Sequence, residues 1–326
     1  MMPPVSQSRW RRKWHTARGF CMEQAMSILL LGKDGQVGWQ LQRALAPLGE
    51  LVACGRGQCD MTDADRIRSL VAEVQPSVIV NASAYTAVDK AESDADTAYA
   101  VNARAPGVLA EAALKCGALL VHYSTDYVFD GGKQGAYAES DATAPQGVYG
   151  QSKLAGEEAI GALAGKSLIF RTSWVFGEHG GNFVKTILRL ARERDSLGVV
   201  ADQVGSPTPA ALIADVTAAA LMRLDFGRQM AAGENRLYHL AAANPVSWHA
   251  FACRIVETAR AMGEELRVDA AAIRAIGTVD YPTPARRPAN SRLDCSLLEA
   301  ELGLHMPDWQ PYLERMLSCC LARSAR

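Results

Sequence analysis

Two residues that can move a proton, Tyr149 and Lys153, stand four positions apart in the sequence. On a helix, this spacing places both side chains on one face, one turn apart. A lysine ammonium beside a tyrosine stabilises the phenolate and lowers the pKa of the tyrosine. Such a tyrosine can pass a proton to or from a substrate oxygen near neutral pH. Because Tyr and Lys at helical spacing more often form a solvated face, the rest of the chain must decide between the two interpretations.

A glycine-rich loop follows the first apolar run of the chain. Residues Ser27 to Leu31 predict a strand, Gly32-Lys33-Asp34-Gly35-Gln36-Val37-Gly38 follows, and Trp39 to Leu48 has helical periodicity. This is the context of a dinucleotide fingerprint, in which glycines admit a pyrophosphate to the helix N-terminus. The spacing is G-x-x-G-x-x-G, so an ordinary tight turn is the alternative. The predicted cofactor contacts of the loop are Gly32, Gly35, Gln36, Val37 and Gly38.

The end of the second predicted strand, Leu51 to Cys54, bears on the choice of cofactor. An acidic residue there would bind the ribose 2′-hydroxyl of NAD, and none is present. Arg56 and Lys33 could instead meet the 2′-phosphate of NADP, or both could be surface charges. Asp60 could reach the adenine. The sequence therefore predicts NADPH or NADH as cofactor, with a modest preference for NADPH.

Strands and helices alternate from residue 27 to residue 171. Further buried strands are predicted at Pro76 to Asn81, Ala118 to His122 and Lys166 to Arg171. The alternation predicts an α/β fold with a doubly wound parallel sheet of the Rossmann type. Crossover handedness gathers the strand ends along one edge. Thr125, Tyr149 and the small residues Ala82 and Ala84 should therefore lie close to the glycine loop.

The chain changes character after residue 172. We predict a dinucleotide-binding domain over residues 27–172, to which residues 209–241 return. Residues 173–208 and 242–326 are expected to form a smaller α/β substrate-binding region over the sheet edge. Its neighbourhood supplies groups that stack on a base or pair with phosphates, although each arginine is more often a surface ion pair. These groups are Trp174, Arg171, Arg286 and Arg287.

Composition excludes several classes of protein. The 326 residues carry a formal net charge of -1, so neither nucleic acid nor a membrane surface is indicated as a partner. The eight cysteines form no C-x-x-C pair, which is typical of a reduced, cytoplasmic protein. The histidines lack metal-ligand spacing, so no catalytic metal is predicted. No apolar run approaches the ~20 residues of a membrane span.

Residues 1–26 stand apart from the rest of the chain. They carry five basic residues among Pro, Ser and Gln, but the apolar run after them is short and ends at Gly32. A signal peptide needs a longer apolar run after its basic start. We therefore predict an unstructured extension, with Met26 as an alternative start, in preference to a targeting segment.

These motifs resemble the extended short-chain dehydrogenase/reductases, from about residue 27 to residue 317. The broad family accounts for the glycine loop, Thr125 and Tyr149-x-x-x-Lys153. A narrower resemblance, to reductases of nucleotide-linked keto sugars, depends on five longer segments. These segments are Asn81 to Glu92, Ser124 to Gly131, Arg171 to Gly177, Asp202 to Thr208 and Tyr281 to Pro288.

The resemblance implies an activity and a set of site residues. The activity is reduction of the C4 ketone of dTDP-4-dehydro-β-L-rhamnose by NADPH or NADH, in cell-surface polysaccharide biosynthesis. The implied catalytic residues are Thr125, Tyr149 and Lys153. The implied cofactor contacts include Arg56, Asp60, Ala82, Ala84, Tyr149 and Lys153. The implied substrate contacts are Tyr85, Thr125, Asp126, Tyr127, Trp174 and Arg286.

Two departures and two alternatives accompany the resemblance. Gly147 stands where the family usually has Asn, and residues 243–246 lack a glycine, so local loop geometry is open. A dehydratase or epimerase of the same fold is one alternative, although a dehydratase would have Glu at the position of Tyr127. Another is a non-catalytic, NADP-binding regulatory subunit. The resemblance also allows a homodimer with a structural Mg²⁺, for which the sequence offers no carboxylate cluster.

Overall fold

The computed structural model describes residues 26–163 and 165–324. The predicted N-terminal extension therefore lies, up to residue 25, outside the described residues. The helices are α1 (Gln36–Leu45), α2 (Ala64–Val74), α3 (Val88–Ala91), α4 (Ala95–Tyr99), α5 (Ala105–Cys116), α6 (Val148–Gly161), α7 (Phe183–Glu193), α8 (Ala210–Arg223), α9 (Trp248–Ala261), α10 (Ser296–Leu302) and α11 (Gln310–Ser324). Within the described residues, no helix is both long and apolar enough to span a membrane.

Thirteen strands are assigned within the described ranges. They are β1 (Ser27–Leu31), β2 (Glu50–Cys54), β3 (Val78–Asn81), β4 (Leu119–Thr125), β5 (Lys166–Thr172), β6 (Val175–Phe176), β7 (Leu197–Val200), β8 (Val204–Gly205), β9 (Thr208–Pro209), β10 (Asn235–His239), β11 (Val246–Ser247), β12 (Ile273–Ile276) and β13 (Asn290–Ser291). Six of them form one sheet in the order β2-β1-β3-β4-β5-β10, with every neighbouring pair parallel. The predicted doubly wound parallel sheet is confirmed.

Apolar strands make this sheet the centre of a three-layer structure. β3 and β4 are buried along their whole length, as expected when helices cover both faces of a parallel sheet. One face packs against α1 and α8, and the other packs against α2, α5 and α6. The strand order reverses between β1 and β3, and a crevice opens at such a point outside the carboxyl ends of the strands.

The later chain adds three small sheets. β7 pairs with β12, β6 pairs with β9, and β8 lies between β11 and β13. The composition of Asp202 to Pro209 predicts only a turn-rich link and neither β8 nor β9, because strands of two residues show no alternation of polar and apolar positions. α8 packs against α1 and β10 joins the large sheet. The division into two domains stays a prediction, since one hydrophobic cluster runs from the sheet into α9, α10 and α11.

Candidate active site

The glycine loop between β1 and α1 has no room for side chains at its two ends. Gly32 has a φ of +79°, and a Cβ atom there would lie 2.6 Å from the Ser83 amide nitrogen. A Cβ atom on Gly38 would lie 2.0 Å from the Gly32 carbonyl oxygen. Glycine fits because it lacks a Cβ atom and adopts positive φ without strain. The loop thus holds the ends of β1 and β3 against the start of α1.

Helix α1 begins with its amino end uncovered. Its N-cap residue, Gly35, offers no side-chain cap, and no acidic residue stands in the first turn. Free N–H groups and the positive end of the helix dipole attract an anion. The Gln36 side chain is turned aside, since its Oε1 accepts a hydrogen bond from Asn182 at 3.0 Å. Val37 packs half-buried against the core. Gln36 and Val37 therefore offer an anion their backbone N–H groups.

A cleft of about 490 Å³ lies beside this loop. Six of the predicted cofactor contacts line it, namely Gly32, Gly35, Arg56, Asp60, Ala82 and Ala84. Tyr85 lines the same cleft, and its hydroxyl donates a hydrogen bond to Asp94 at 3.0 Å. The resemblance implies that Tyr85 meets the sugar, but its position favours the cofactor side instead.

Two carboxylates, Asp60 and Asp34, lie near Arg56 in the part of this cleft that follows β2. Arg56 is paired with Asp60 at 3.2 Å, and its side chain is 80% exposed. Hydrogen bonds from the backbone and hydroxyl of Thr62 lower the pKa of Asp60. The Asp34 carboxylate lies so close to Gly55, at the end of β2, that a Cβ atom there would be 1.9 Å from it. Asp34 is a cleft residue that the sequence interpretation missed, because it comes from the glycine loop and not from β2.

The carboxyl end of β4 and the start of α6 bring the three predicted catalytic residues into one region. Thr125 is the last residue of β4, and α6 carries Tyr149 in its first turn and Lys153 one turn later. Gly147, the departure from the family pattern, is the N-cap residue of α6. Glu92 caps the helix instead, accepting a hydrogen bond from the Val148 N–H at 2.9 Å. A Cβ atom at residue 147 would lie 2.6 Å from this carboxylate, which explains the glycine.

The structure does not show the predicted lowering of the Tyr149 pKa by Lys153. Burial raises the pKa of Tyr149 above its usual range, and its interaction with the Thr125 side chain opposes the shift. The Lys153 Nζ atom donates to the Tyr123 carbonyl oxygen and lies 3.2 Å from His122 Nε2. Burial lowers the pKa of Lys153 to about 8, against the effect of Glu157. Desolvation dominates here, because both groups are taken out of water.

Asp126 lies beneath Thr125 and is 3% exposed. It accepts a hydrogen bond from the Thr125 hydroxyl at 2.9 Å. Burial raises the pKa of Asp126 to about 6, and hydrogen bonds from the Ser291 and Thr125 hydroxyls oppose this shift. A side chain this buried orients Thr125 and cannot cover a sugar, so the predicted substrate contact of Asp126 can only be indirect.

A π-helical turn over Ala100–Arg104 supports α6 from behind. The sequence predicts α-helix on both sides of residue 100 but not this turn, which frequently marks functional sites. The turn directs Asn102 to the Tyr85 backbone, at 2.9 and 3.1 Å, and to the Ser152 hydroxyl at 3.1 Å. Asn102 therefore ties the strand end after β3 to the helix that carries Tyr149.

A second cavity, of about 760 Å³, is lined by residues of the smaller region together with Tyr127 and Asp89. Tyr127 lines it and meets the Tyr149 ring edge-on, with centroids 5.4 Å apart. Arg287 also lines it, and its guanidinium donates to the Tyr127 hydroxyl at 3.3 Å and to Asp89 at 2.6 Å. Burial raises the pKa of Tyr127 to about 12, against the effect of Arg287. This cavity also contains Arg189 and Arg194, so cationic groups line it from two sides.

Two tryptophans stand at the base of this region. The rings of Trp174 and Trp248 are stacked, with centroids 3.4 Å apart and planes 8° apart. Trp174 has a φ of +47°, and a Cβ atom on Gly205 would lie 2.6 Å from its ring. Trp248 lines the cavity. Trp174 therefore supports the wall of the cavity indirectly, by stacking on Trp248. The sequence does not single out Trp248, because the role of Trp248 depends on this stacking contact.

Two arginines lie elsewhere than predicted. Arg286 is exposed and donates to Gln146 at 3.1 Å, while its neighbour Arg287 enters the cavity. Arg171 is 4% exposed and forms a buried ion pair with Glu157, donating to both carboxylate oxygens. An arginine engaged in this way is held inside the sheet edge and is not available to a phosphate. Sequence alone could not separate residues 286 and 287, since adjacent side chains point in different directions.

The residues of the first cleft fit a nicotinamide dinucleotide. The uncovered amino end of α1 and the cradle around Gly32 can hold a pyrophosphate. Ala82 and Ala84 line the cleft with small side chains, which leave space for a cofactor. Within the described residues, no group of three or more His, Cys, Asp or Glu side chains could hold a metal ion. Together, this fold and this site are those of a short-chain dehydrogenase/reductase.

Comparison with known proteins narrows this class. Residues 26–321 match the family model of the RmlD substrate binding domain. The dTDP-4-dehydrorhamnose reductase of Escherichia coli K12 is 48% identical over 301 residues, which cover 90% of this chain and 97% of that protein. The spore coat polysaccharide biosynthesis protein SpsK of Bacillus subtilis is 36% identical over 298 residues, covering 90% and 99%.

A solved structure is similar over nearly the same range. The crystal structure of dTDP-4-dehydrorhamnose reductase from Bacillus anthracis in complex with NADP has 34% sequence identity and a TM-score of 0.80. The similarity covers 91% of this chain and 99% of that one. The chain belongs to the dTDP-4-dehydrorhamnose reductase family. The resemblance inferred from the sequence motifs is therefore confirmed.

Proposed function

We propose that this protein reduces the C4 ketone of dTDP-4-dehydro-β-L-rhamnose with NADPH or NADH. The product, dTDP-β-L-rhamnose, serves cell-surface polysaccharide biosynthesis. One observation carries the proposal. Asn102 ties the helix that carries Tyr149 to Tyr85 in the glycine-lined cleft, and the Tyr149 ring meets Tyr127 of the second cavity, which Arg287 also lines. A keto sugar in that cavity would present its carbonyl to the phenol.

The chemistry needs a proton donor at the carbonyl oxygen, and Tyr149 supplies it. The bound nicotinamide cofactor supplies the hydride to the carbonyl carbon. Because burial raises the pKa of Tyr149, its hydroxyl is protonated at neutral pH and ready to donate. Its proton passes to the oxygen as negative charge develops there.

Thr125 stabilises the same oxygen by a hydrogen bond. In the free protein the Thr125 hydroxyl points to Asp126 Oδ1 at 2.9 Å. It must rotate away from this carboxylate to donate to a substrate oxygen. Once rotated, the hydroxyl would stabilise the negative charge that develops on this oxygen. Lys153 lies one turn further into the protein, where it can hold a ribose hydroxyl of the cofactor.

The diphosphate of the substrate would lie against the cationic lining of the second cavity. Arg287 is fixed by Asp89 and Tyr127. Arg189 on α7 and Arg194, which follows that helix, also line the cavity. Arginine forms paired hydrogen bonds with phosphate oxygens. Trp248 and Phe183 offer apolar surface for the sugar and the base. This lining, cationic in one part and apolar in another, supports a substrate in which a doubly charged diphosphate joins two groups with apolar faces.

A dehydratase or epimerase on the same fold is the second candidate. A dehydratase needs a base beside the sugar ring, but Tyr127 follows Asp126 and bonds to Arg287. Asp126 is buried beneath Thr125 and cannot reach the ring. A non-catalytic regulatory subunit would have no use for Tyr149 as a proton donor with Thr125 beside it. We therefore favour the reductase, and expect a cytoplasmic enzyme, with a homodimer as its proposed assembly.

The test is loss of NADPH or NADH absorbance when purified dTDP-4-dehydro-β-L-rhamnose is added to the protein. We expect stoichiometric oxidation of the cofactor and dTDP-β-L-rhamnose as product by NMR. A UDP-linked keto sugar is the control for the nucleotide. Cofactor binding without turnover would favour the regulatory subunit, and release of water from a dTDP-hexose would favour the dehydratase.

A further inference from the structure

A chain of buried polar side chains runs beneath the site and ends at Lys153. Asn81, at the end of β3, lies 3.1 Å from His122 Nδ1 through its Nδ2 atom. His122 Nε2 lies 3.2 Å from Lys153 Nζ. All three side chains are at most 2% exposed. We propose that Asn81 fixes the tautomer of His122, and that His122 thereby acts as a positioning residue that sets the protonation of Lys153.

The direction of the first hydrogen bond follows from the far side of Asn81. Its Oδ1 atom accepts a hydrogen bond from the Ser83 backbone N–H at 3.1 Å. The amide therefore cannot be turned over without placing its NH₂ group against that N–H. Its Nδ2 atom, which can only donate, faces His122. His122 Nδ1 must accept, so a neutral His122 carries its hydrogen on Nε2.

This tautomer presents a donor to Lys153. An ammonium group has three donors and no acceptor, so it cannot bond to the His122 Nε2–H group. A neutral amine can accept that hydrogen and still donate to the Tyr123 carbonyl oxygen, the other partner of Lys153. The arrangement therefore favours a neutral Lys153 and disfavours the ammonium. Burial acts in the same direction, since it lowers the pKa of Lys153 and of His122.

The other charged groups near Lys153 are accounted for. Glu157, one turn later on α6, favours the ammonium, but Arg171 from β5 holds this carboxylate at 2.6 Å. Asp126 follows β4 and accepts from Thr125, and burial favours its protonated form. Tyr149 remains a neutral phenol at neutral pH. His122 is therefore the polar group whose orientation decides the balance at Lys153.

This inference rests on the proposed function for its consequence in catalysis. If Lys153 holds the cofactor and supports Tyr149 as an ammonium, its deprotonation sets the upper pH limit of activity. His122 in the Nε2–H form lowers that limit. The opposite tautomer would present a lone pair to the ammonium and would raise the upper pH limit of activity.

Asn81→Asp reverses the donor and acceptor roles along the hydrogen-bonded series from residue 81 through His122 to Lys153. A carboxylate at residue 81 accepts from both the Ser83 N–H and His122, so His122 must carry its hydrogen on Nδ1. His122 Nε2 then accepts from Lys153. We expect the alkaline limb of kcat/KM against pH to move up by about one pH unit. Asn235→Asp adds the same charge at the start of β10, beside Ser167, and is expected to leave the limb in place.

Nitrogen NMR of the histidine side chains reports the tautomer without any turnover. His122→Gln assigns the signal by removing it. We expect a neutral His122 with its hydrogen on Nε2 in the wild-type protein, and on Nδ1 in Asn81→Asp. A wild-type hydrogen on Nδ1, or a charged His122 at neutral pH, would overturn the proposal.

The two measurements separate this inference from the proposed function. An Nε2–H tautomer with an unmoved alkaline limb in Asn81→Asp would overturn the link to Lys153. Should that variant fail to fold, His122→Gln serves in its place, because its amide oxygen can face the ammonium and should also raise the limb. A wild-type protein that oxidises no cofactor with the keto sugar would refute the function, while the tautomer is still read by NMR.

Discussion

The guanidinium of Arg287 lies 3.3 Å from the hydroxyl of Tyr127 and donates to it, which joins the smaller region to the strand end that carries Thr125. A second hydrogen bond fixes the same guanidinium to Asp89. Arg287 is thus oriented before any substrate arrives. An oriented arginine loses less conformational entropy on binding a phosphate than a free one.

Arg287→Ala should therefore weaken substrate binding more than it slows the chemical step. A lost charge-assisted hydrogen bond of about 1.5–3 kcal/mol corresponds to a rise in KM of about tenfold to a hundredfold. Steady-state kinetics with the dTDP-keto sugar measure this rise. Arg286→Ala is the matched control, since Arg286 is exposed and bonds to Gln146. Equal effects of the two changes would contradict the assignment.

Tyr149→Phe removes the proposed proton donor but keeps the ring that packs against Tyr127. General acid catalysis contributes about 10²- to 10⁴-fold, so kcat should fall by that range. Cofactor affinity, measured by fluorescence titration, should stay within about threefold, since the phenol contributes one hydrogen bond at most. Turnover close to that of the wild-type protein would show that another group donates the proton.

Gly38→Ala tests the close approach of α1 to the glycine loop. The added methyl group would lie 2.0 Å from the Gly32 carbonyl oxygen, so the loop must shift. Overpacking of this kind costs about 1–3 kcal/mol of folding stability, and the shifted loop should bind cofactor more weakly. Thermal unfolding with and without NADPH measures both effects. Gly57→Ala is the control, because a Cβ atom there meets nothing within 4 Å. An unchanged cofactor affinity in Gly38→Ala would show that the loop does not hold the pyrophosphate.

Periodicity and loop chemistry were enough to predict the large sheet. Its inner strands β1, β3, β4 and β5 are mostly apolar and buried, whereas the edge strands β2 and β10 are partly exposed. The loops that meet the site follow strand ends. The smaller region escaped prediction because strands such as Val204–Gly205 are too short to show a period. Its structure depends on contacts between distant segments, such as the pairing of that strand with Asn290–Ser291.

The polar partners and pKa shifts of the site residues were harder to predict than which residues form the site. The spacing of Tyr149 and Lys153 predicts one helical face, and both lie on α6. It does not reveal that Lys153 turns to Tyr123 and His122, or that burial raises the pKa of the tyrosine. The buried ion pair of Arg171 was not predicted for a similar reason, since its partner Glu157 becomes apparent only when β5 and α6 pack together.

Breaking the ion pair of Glu157 and Arg171 by substitution should strongly lower the free energy of unfolding. Both side chains are at most 8% exposed, so removing one leaves an uncompensated buried charge. Glu157→Gln should lower the free energy of unfolding by about 3–5 kcal/mol. Denaturant titration measures the loss. The double variant Glu157→Gln with Arg171→Met should recover part of it, because no charge is then left unpaired. A single variant as stable as the wild type would show that water reaches the pair.

Asp126 should make the stability of the fold depend on pH in an identifiable way. Burial raises its pKa to about 6 in the folded protein, from 3.8 as the ordinary value. Between these values the folded state binds more protons than the unfolded state, so this contribution is full below pH ~4 and is lost as the pH rises through ~6. The loss is on the order of 3 kcal/mol.

Asp126→Asn isolates this contribution, because asparagine does not titrate and can still accept the Thr125 hydrogen bond. The difference in unfolding free energy between the variant and the wild type, measured by denaturant titration at a series of pH values, cancels the other ionisable groups. The wild type should lose stability relative to the variant as the pH rises from about 4 to about 6. A flat difference would show that the pKa of Asp126 is ordinary and that the carboxylate is ionised beneath Thr125. In that case the Thr125 hydroxyl would be held more tightly to Asp126, and its rotation toward a substrate oxygen would cost more.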